Sequence, residues 1–128
     1  MGTLLAIDIG GTKVAAGVVD DEGALLRRAI AATPVGAGSE ALLDAVLGVA
    51  AEVRSGEERA CGVGCGGPMA SGGETVSPLN IPDWQDFPLR DRLARGLGLP
   101  VVVDNDAKAL ALGEGWVGAA AMVIKALR

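Results

Sequence analysis

Leu4-Leu5-Ala6-Ile7-Asp8-Ile9-Gly10-Gly11-Thr12-Lys13-Val14-Ala15-Ala16-Gly17-Val18-Val19 is the stretch on which the fold turns. Leu4 to Ile9 reads as a buried strand, Gly10-Gly11-Thr12 as a turn, and Val14 to Val19 as a second strand. The residue types at the junction suit phosphate chemistry. Glycines let backbone N–H groups approach a phosphate closely and adopt φ > 0. Thr12 adds a hydroxyl donor and Lys13 a positive charge. Asp8, at the strand end, can hold Mg²⁺ directly or through water. A plain hairpin turn would use the same glycines. A Walker A loop is excluded, because its GxxxxGK[ST] spacing is missing and a strand follows where a helix is required.

Outward from that junction, Asp20-Asp21-Glu22-Gly23 reads as a hairpin turn and Ala24 to Ala32 as a third strand, which makes an antiparallel meander. Ser39 to Arg54 has helical periodicity in Leu42, Leu43, Val46, Leu47, Val49, Ala50 and Val53, with Ser39 as expected N-cap. Ala60 to Cys65 is a buried strand and 66–73 a glycine-rich loop. A short helix is expected over Pro88 to Leu97, ending at Gly98. Val101-Val102-Val103 forms a strand, and a last helix runs from Ala107 to about Glu114. The order β-β-β-α-β-α-β-α predicts an α/β domain: a mixed five-stranded sheet that starts with a β-meander and has flanking helices.

The 128 residues suit one domain, and half of them are apolar. With one Phe, two Trp and no Tyr, the core must be aliphatic. A net charge of −5 argues against a nucleic-acid surface. No apolar run reaches the roughly 18–20 residues of a membrane helix. No basic segment opens the chain, so no signal peptide is expected, and with two cysteines a cytoplasmic location is the expectation.

Three further stretches join the first. They are Gly62-Val63-Gly64-Cys65-Gly66-Gly67-Pro68, Ser77-Pro78-Leu79-Asn80-Ile81-Pro82-Asp83-Trp84, and Val103-Asp104-Asn105-Asp106-Ala107 with Glu114 beyond. Taken in order from residue 4 to about 119, the four resemble the ROK family (repressors, open reading frames and kinases), which includes bacterial glucokinases. The resemblance implies the N-terminal part, residues 1–119, of a ribonuclease H-like (actin-like ATPase) sugar kinase. It implies ATP-dependent phosphorylation of a hexose, with Mg²⁺, in the full-length form. The sugar and the phosphoryl donor, ATP or polyphosphate, stay open.

Matched residue by residue, Asp8, Gly10, Gly11, Thr12 and Lys13 would serve phosphate and Mg²⁺. Gly66, Gly67, Asn80, Asn105 and Asp106 would serve the sugar, and Asp106 would be the catalytic base. Two departures stand out: Met69 follows Pro68 where the family has Gly, and Leu79 separates Pro78 from Asn80.

Plainer roles compete with some of these. Asp104 could cap the helix, and Asn80 could be a turn residue between Pro78 and Pro82. Trp84 is expected as a core or loop anchor, and Trp116 as packing. The formal dinucleotide fingerprint Gly62-x-Gly64-x-x-Gly67 runs into Pro68 and loop residues instead of a helix. Cys61 and Cys65, with no His in the chain, cannot complete the family's zinc site.

Residues 120–128 are expected to be an unassigned tail beyond the family's pattern, and the C-terminal kinase domain is expected to be missing. A catalytically inactive fragment is therefore one alternative. The other is a sugar-sensing regulator lacking its helix-turn-helix, since Met1 leaves no room for one before the first strand. No membrane partner is expected, and a homo-oligomer of the full-length form stays open.

Overall fold

The computed structural model describes residues 2–104. Its strands are β1 (Thr3–Ile9), β2 (Lys13–Val19), β3 (Leu25–Ala32), β4 (Glu58–Cys65) and β5 (Val101–Asp104). The helices are α1 (Ser39–Val53) and α2 (Leu89–Leu97), and a 3₁₀ turn occupies Ser71–Gly73. The strands form one sheet in the order β3-β2-β1-β4-β5. β1, β2 and β3 pair antiparallel, while β4 lies parallel to both β1 and β5.

The meander follows from its turns. Asp20 Oδ1 accepts the amides of Glu22 and Ala24 at 2.9 Å each, and Gly23 takes φ 82°. That side-chain turn reverses the chain from β2 into β3. α1 then crosses back over the sheet, so that β4 enters parallel to β1, as a crossover of this length requires.

One face of the sheet makes the core. Leu5, Ile7 and Ile9 of β1, Val14, Ala16 and Val18 of β2 and Cys61, Val63 and Cys65 of β4 alternate onto it. Against them lie Leu42, Val46, Val49, Ala50 and Val53 of α1, and Leu89, Leu93 and Leu97 of α2. The two helices approach closely at Gly96, where a Cβ would stand 2.8 Å from Leu47 Cδ2. Trp84 is fully buried, stacks on Phe87 with ring centroids 4.7 Å apart, and donates Nε1–H to the Ser39 carbonyl at 3.2 Å. It is the anchor expected of it.

One expectation is corrected. Ser39 is the first helical residue and not the cap; Gly38 holds the cap position with no side-chain bond. Gly38 stands at φ 100°, which a β-carbon disfavours, so backbone geometry selects the entry to α1. α2 ends as expected, on Gly98 at φ 68° with its amide bonded to the Ala94 carbonyl. The expected helix from Ala107, Trp116 and the 120–128 segment lie outside the described residues.

Candidate phosphate and sugar site

The carboxyl ends of β1, β4 and β5 lie side by side. Asp8 is in register with Gly64, and Gly64 with Asp104. Two acids thus flank a residue without a side chain, their backbones about 10 Å apart at normal strand spacing. Both project from the face opposite α1 and α2, because Ile7, Ile9 and Val103 take the core side. Asp8 is buried and Asp104 half-buried. The helix that Asp104 was expected to cap lies outside the described residues.

Beyond Asp8 the chain turns at Gly10 to Lys13, closed by the Gly10 amide on the Lys13 carbonyl at 2.9 Å. The φ > 0 expected of the glycines is not what the turn uses, because neither Gly10 nor Gly11 is among the positive-φ residues. Close approach explains them instead. A Cβ on Gly11 would lie 2.8 Å from Asn80 Cβ and 2.9 Å from the Asn80 carbonyl oxygen. The glycine thus seats one loop directly on the other.

The second loop is pinned at its base by the paired Val76 and Phe87 backbones, whose two bonds are 2.9 Å each. Asp86 donates its amide to Ser77 Oγ at 2.7 Å just inside that base. The third loop follows β4 through Gly66 and the cis Gly67–Pro68 bond, and the Gly67 carbonyl accepts the Leu79 amide at 3.4 Å. No helix opens after Gly67, so the fingerprint spacing there has no helix N-terminus to offer a pyrophosphate.

The three loops enclose a cleft of about 180 Å³, lined by Ile9, Gly10, Gly11, Gly66, Gly67, Pro78, Leu79, Asn80 and Ile81. That is below the roughly 300–1,000 Å³ of a complete small-molecule site and fits a single wall of one. Of the residues singled out in the sequence, Gly10, Gly11, Gly66, Gly67 and Asn80 meet here, while Asp8, Thr12 and Lys13 adjoin these glycines in the chain without lining the cleft. Asn105 and Asp106 lie outside the described residues. Leu79, the insertion before Asn80, is 85 % exposed on the cleft wall.

Cys61 and Cys65 are both buried and unbridged. Burial pushes the Cys61 thiol far above its usual range, as suits a core residue. No group of three or more metal-ligating side chains occurs among the described residues.

Thr33 carries no motif in the sequence, yet it touches the Gly10–Lys13 turn twice. Its Oγ1–H donates to the Gly10 carbonyl at 2.6 Å and its amide to the Thr12 carbonyl at 2.9 Å. Its only sequence signal is its place at the end of a strand, just before Pro34.

A mixed five-stranded sheet with a glycine turn after its first strand and a cleft at the strand ends has the fold of the actin-like ATPase class. The ROK family model matches residues 4–127, and the chain belongs to the ROK family. It is 43 % identical to the glucokinase of Streptomyces coelicolor over 115 residues, covering 89 % of this chain and 36 % of that one. The structure of a ROK glucokinase from Streptomyces griseus, in complex with glucose and AMPPNP, superposes with a TM-score of 0.76 at 43 % identity. That match covers 91 % of this chain and 37 % of the other. An inorganic polyphosphate/ATP glucomannokinase from Arthrobacter matches with a TM-score of 0.70 at 36 % identity, over 88 % of this chain and 47 % of that one. The chain thus spans a little over a third of the glucokinases it resembles. No described helix is long and apolar enough to cross a membrane.

Proposed function

We propose that this chain is the N-terminal domain of a glucokinase-like enzyme that transfers a phosphoryl group from ATP to a hexose. The convergence of the Gly10–Lys13 turn and the Asn80 loop on one cleft carries the reading, with Gly11 in direct contact with Asn80. A phosphate donor and a hydroxyl acceptor must be held side by side for in-line transfer, and two loops seated on each other do that. The S. griseus relative, whose structure holds glucose and AMPPNP, supports the same pairing of ligands.

In this arrangement the Gly11 and Thr12 amides and Lys13 hold the phosphates. Asp8 is the residue to hold Mg²⁺, and the donor set fits: an all-oxygen site with one carboxylate suits an ion that keeps most of its waters. The ion, when bound, neutralises phosphate charge. Gly66, Gly67, Asn80 and Asn105 orient the sugar, and Asp106 accepts the proton of the reacting hydroxyl. Residues 1–119 form the domain, and the remaining wall of the cleft comes from chain of the kind that fills the other two thirds of the relatives.

A coupled assay with ATP, Mg²⁺ and a panel of hexoses, run on the kinase that carries this domain, tests the reading. Turnover of glucose or a close relative is expected, and Asp106→Asn should cut kcat by at least ~10² while sugar affinity changes much less. Absence of turnover with every hexose, or an Asp106→Asn enzyme with full kcat, would refute it.

A further inference from the structure

We propose that Thr33 is a positioning residue for the phosphate loop, an assignment that rests on the phosphate-binding role proposed for Gly10 to Lys13. Thr33 follows β3 directly, and it donates two hydrogen bonds to the loop. The amide bond to the Thr12 carbonyl simply continues the β2–β3 ladder, and any residue but proline would make it. The hydroxyl bond is different. It reaches across to the Gly10 carbonyl at 2.6 Å and exists only because residue 33 has a hydroxyl.

A trans peptide sets its N–H opposite its C=O. With the Gly10 carbonyl held towards Thr33, the Gly11 N–H is turned away from it. No hydrogen bond ties the Gly11 or Thr12 amide to another described residue, so both stand ready for a ligand. Two consecutive glycines have broad backbone freedom, and here they adopt no left-handed φ that would fix them by preference. An external grip is what selects one peptide orientation, and the Thr33 hydroxyl supplies it on a partly buried bond.

The same connection also grips the opposite loop. The Gly36 amide donates to Asp83 Oδ2 at 2.9 Å, in the segment that carries Asn80. Residues 33–36 therefore tie the phosphate turn and the Asn80 loop to one short strap, which keeps the Gly11–Asn80 contact in register.

The test uses the ¹⁵N-labelled 128-residue chain titrated with tripolyphosphate, following the Gly11 and Thr12 amide signals in the parent, Thr33→Val and Thr33→Ser. Val keeps the shape and removes the hydroxyl; Ser restores it. Tripolyphosphate should move both signals in the parent and in Thr33→Ser. Thr33→Val should bind about five- to tenfold more weakly, the scale of one lost hydrogen bond. Each variant is titrated well below its melting temperature, so that a loss of affinity in Thr33→Val with recovery in Thr33→Ser reads the loop and not a loss of fold. Thr33→Ala replaces Thr33→Val if the latter does not fold.

Equal affinity in parent and Thr33→Val, or a Thr33→Ser as weak as Thr33→Val, overturns the assignment. A parent whose Gly11 and Thr12 signals ignore tripolyphosphate overturns the phosphate reading of the loop and the Thr33 role with it. A parent that binds tripolyphosphate in the predicted way, while the kinase phosphorylates no hexose, leaves Thr33 standing and removes only the kinase reading.

Discussion

Two acids are buried among the described residues, and they sit at opposite ends of the parallel strands. Asp8 is 6 % exposed at the carboxyl end of β1, and Glu58 is 4 % exposed at the amino end of β4. Glu58 is surrounded by donors from its own fold. It accepts the Ser55 amide at 3.0 Å, the Ser55 hydroxyl at 2.7 Å, the Gly56 amide at 3.2 Å and Arg54 Nε at 3.0 Å. Thr3 Oγ1 and Arg27 reach it more distantly, at 3.4 and 4.0 Å. The two arginines also bond the Val53 and Leu97 carbonyls at 2.7 Å each, which closes the C-terminus of α1 and ties it to α2. Asp8 instead stands at the strand end that leads into the Gly10–Lys13 turn, one residue before Ile9 of the cleft lining. A buried acid is thus no mark of a site by itself. What separates the two is place: Glu58 lies at the amino end of the parallel strands beside the helix C-termini, and Asp8 at the carboxyl end beside the glycine loops.

The largest effect expected from that contrast is catalytic. Asp8→Ala, in the proposed kinase that carries this domain, should lower kcat by about 10²–10³, the scale of removing one preorganised electrostatic contact. Circular dichroism and the melting curve should stay close to the parent's. Near-normal kcat at saturating Mg²⁺ would place Asp8 with Glu58, as a fold acid.

Glu58→Gln should do the reverse. It keeps the shape but replaces one acceptor oxygen by an NH₂ that faces donors, and it leaves Arg54 without its charge partner. The loss of stability should be about 3 kcal/mol, the low end for breaking a buried pair. Denaturant unfolding of the 128-residue chain reads it directly. In the proposed kinase, KM values measured well below the melting temperature should not move.

Acid should reach the same group. Burial alone would raise the Glu58 pKa, but the bonds from Ser55, Arg54 and Gly56 outweigh it and bring it from 4.5 to about 2. A depressed folded pKa contributes stability that is fully present above about 4.5 and lost as pH falls through about 2. The contribution is about 3 kcal/mol at most, from the size of that shift. Unfolding curves between pH 5 and pH 2 should fall more steeply for the parent than for Glu58→Gln. Parallel pH dependence would show that the Glu58 network does not carry the acid sensitivity.

The sequence made one of these two ends legible and hid the other. The glycine turn is local: strand, glycines and strand are contiguous, so residues 4–19 disclose the hairpin and mark it as a candidate for phosphate. The Glu58 network is not local. Its reach to Thr3 spans 55 positions, and the strand can be traced from Ala60 without including Glu58 at all. Thr33 is hidden for the same reason, since its hydroxyl partner lies 23 positions away. Ser39 misleads in the other direction, because a good capping residue stands next to a glycine whose left-handed backbone takes the cap position first. The glycines of the turn are legible as glycines, but their reason, the approach of Asn80, is tertiary.

The smallest effect comes from a third acid that looks, bond for bond, like the strongest of all. Glu40 pairs with Arg92 through both carboxylate oxygens, and its pKa is lowered by the hydrogen bond from Arg92. The same substitution, Glu40→Gln, is chemically identical to that at Glu58. Its surroundings are not: the Glu40 side chain is 64 % exposed, where that of Glu58 is fully buried. Water replaces a lost surface partner at little cost, and holding two long side chains in one geometry offsets much of the attraction. Arg92 keeps a second contact in any case, lying 5.6 Å over the Phe87 ring. Glu40→Gln should therefore leave the melting temperature of the chain unchanged within measurement, at low and at high salt. A clear loss at low salt that disappears at 1 M NaCl would show that the α1–α2 surface pair holds the helices together. The contrast with Glu58 would then be one of degree and not of kind.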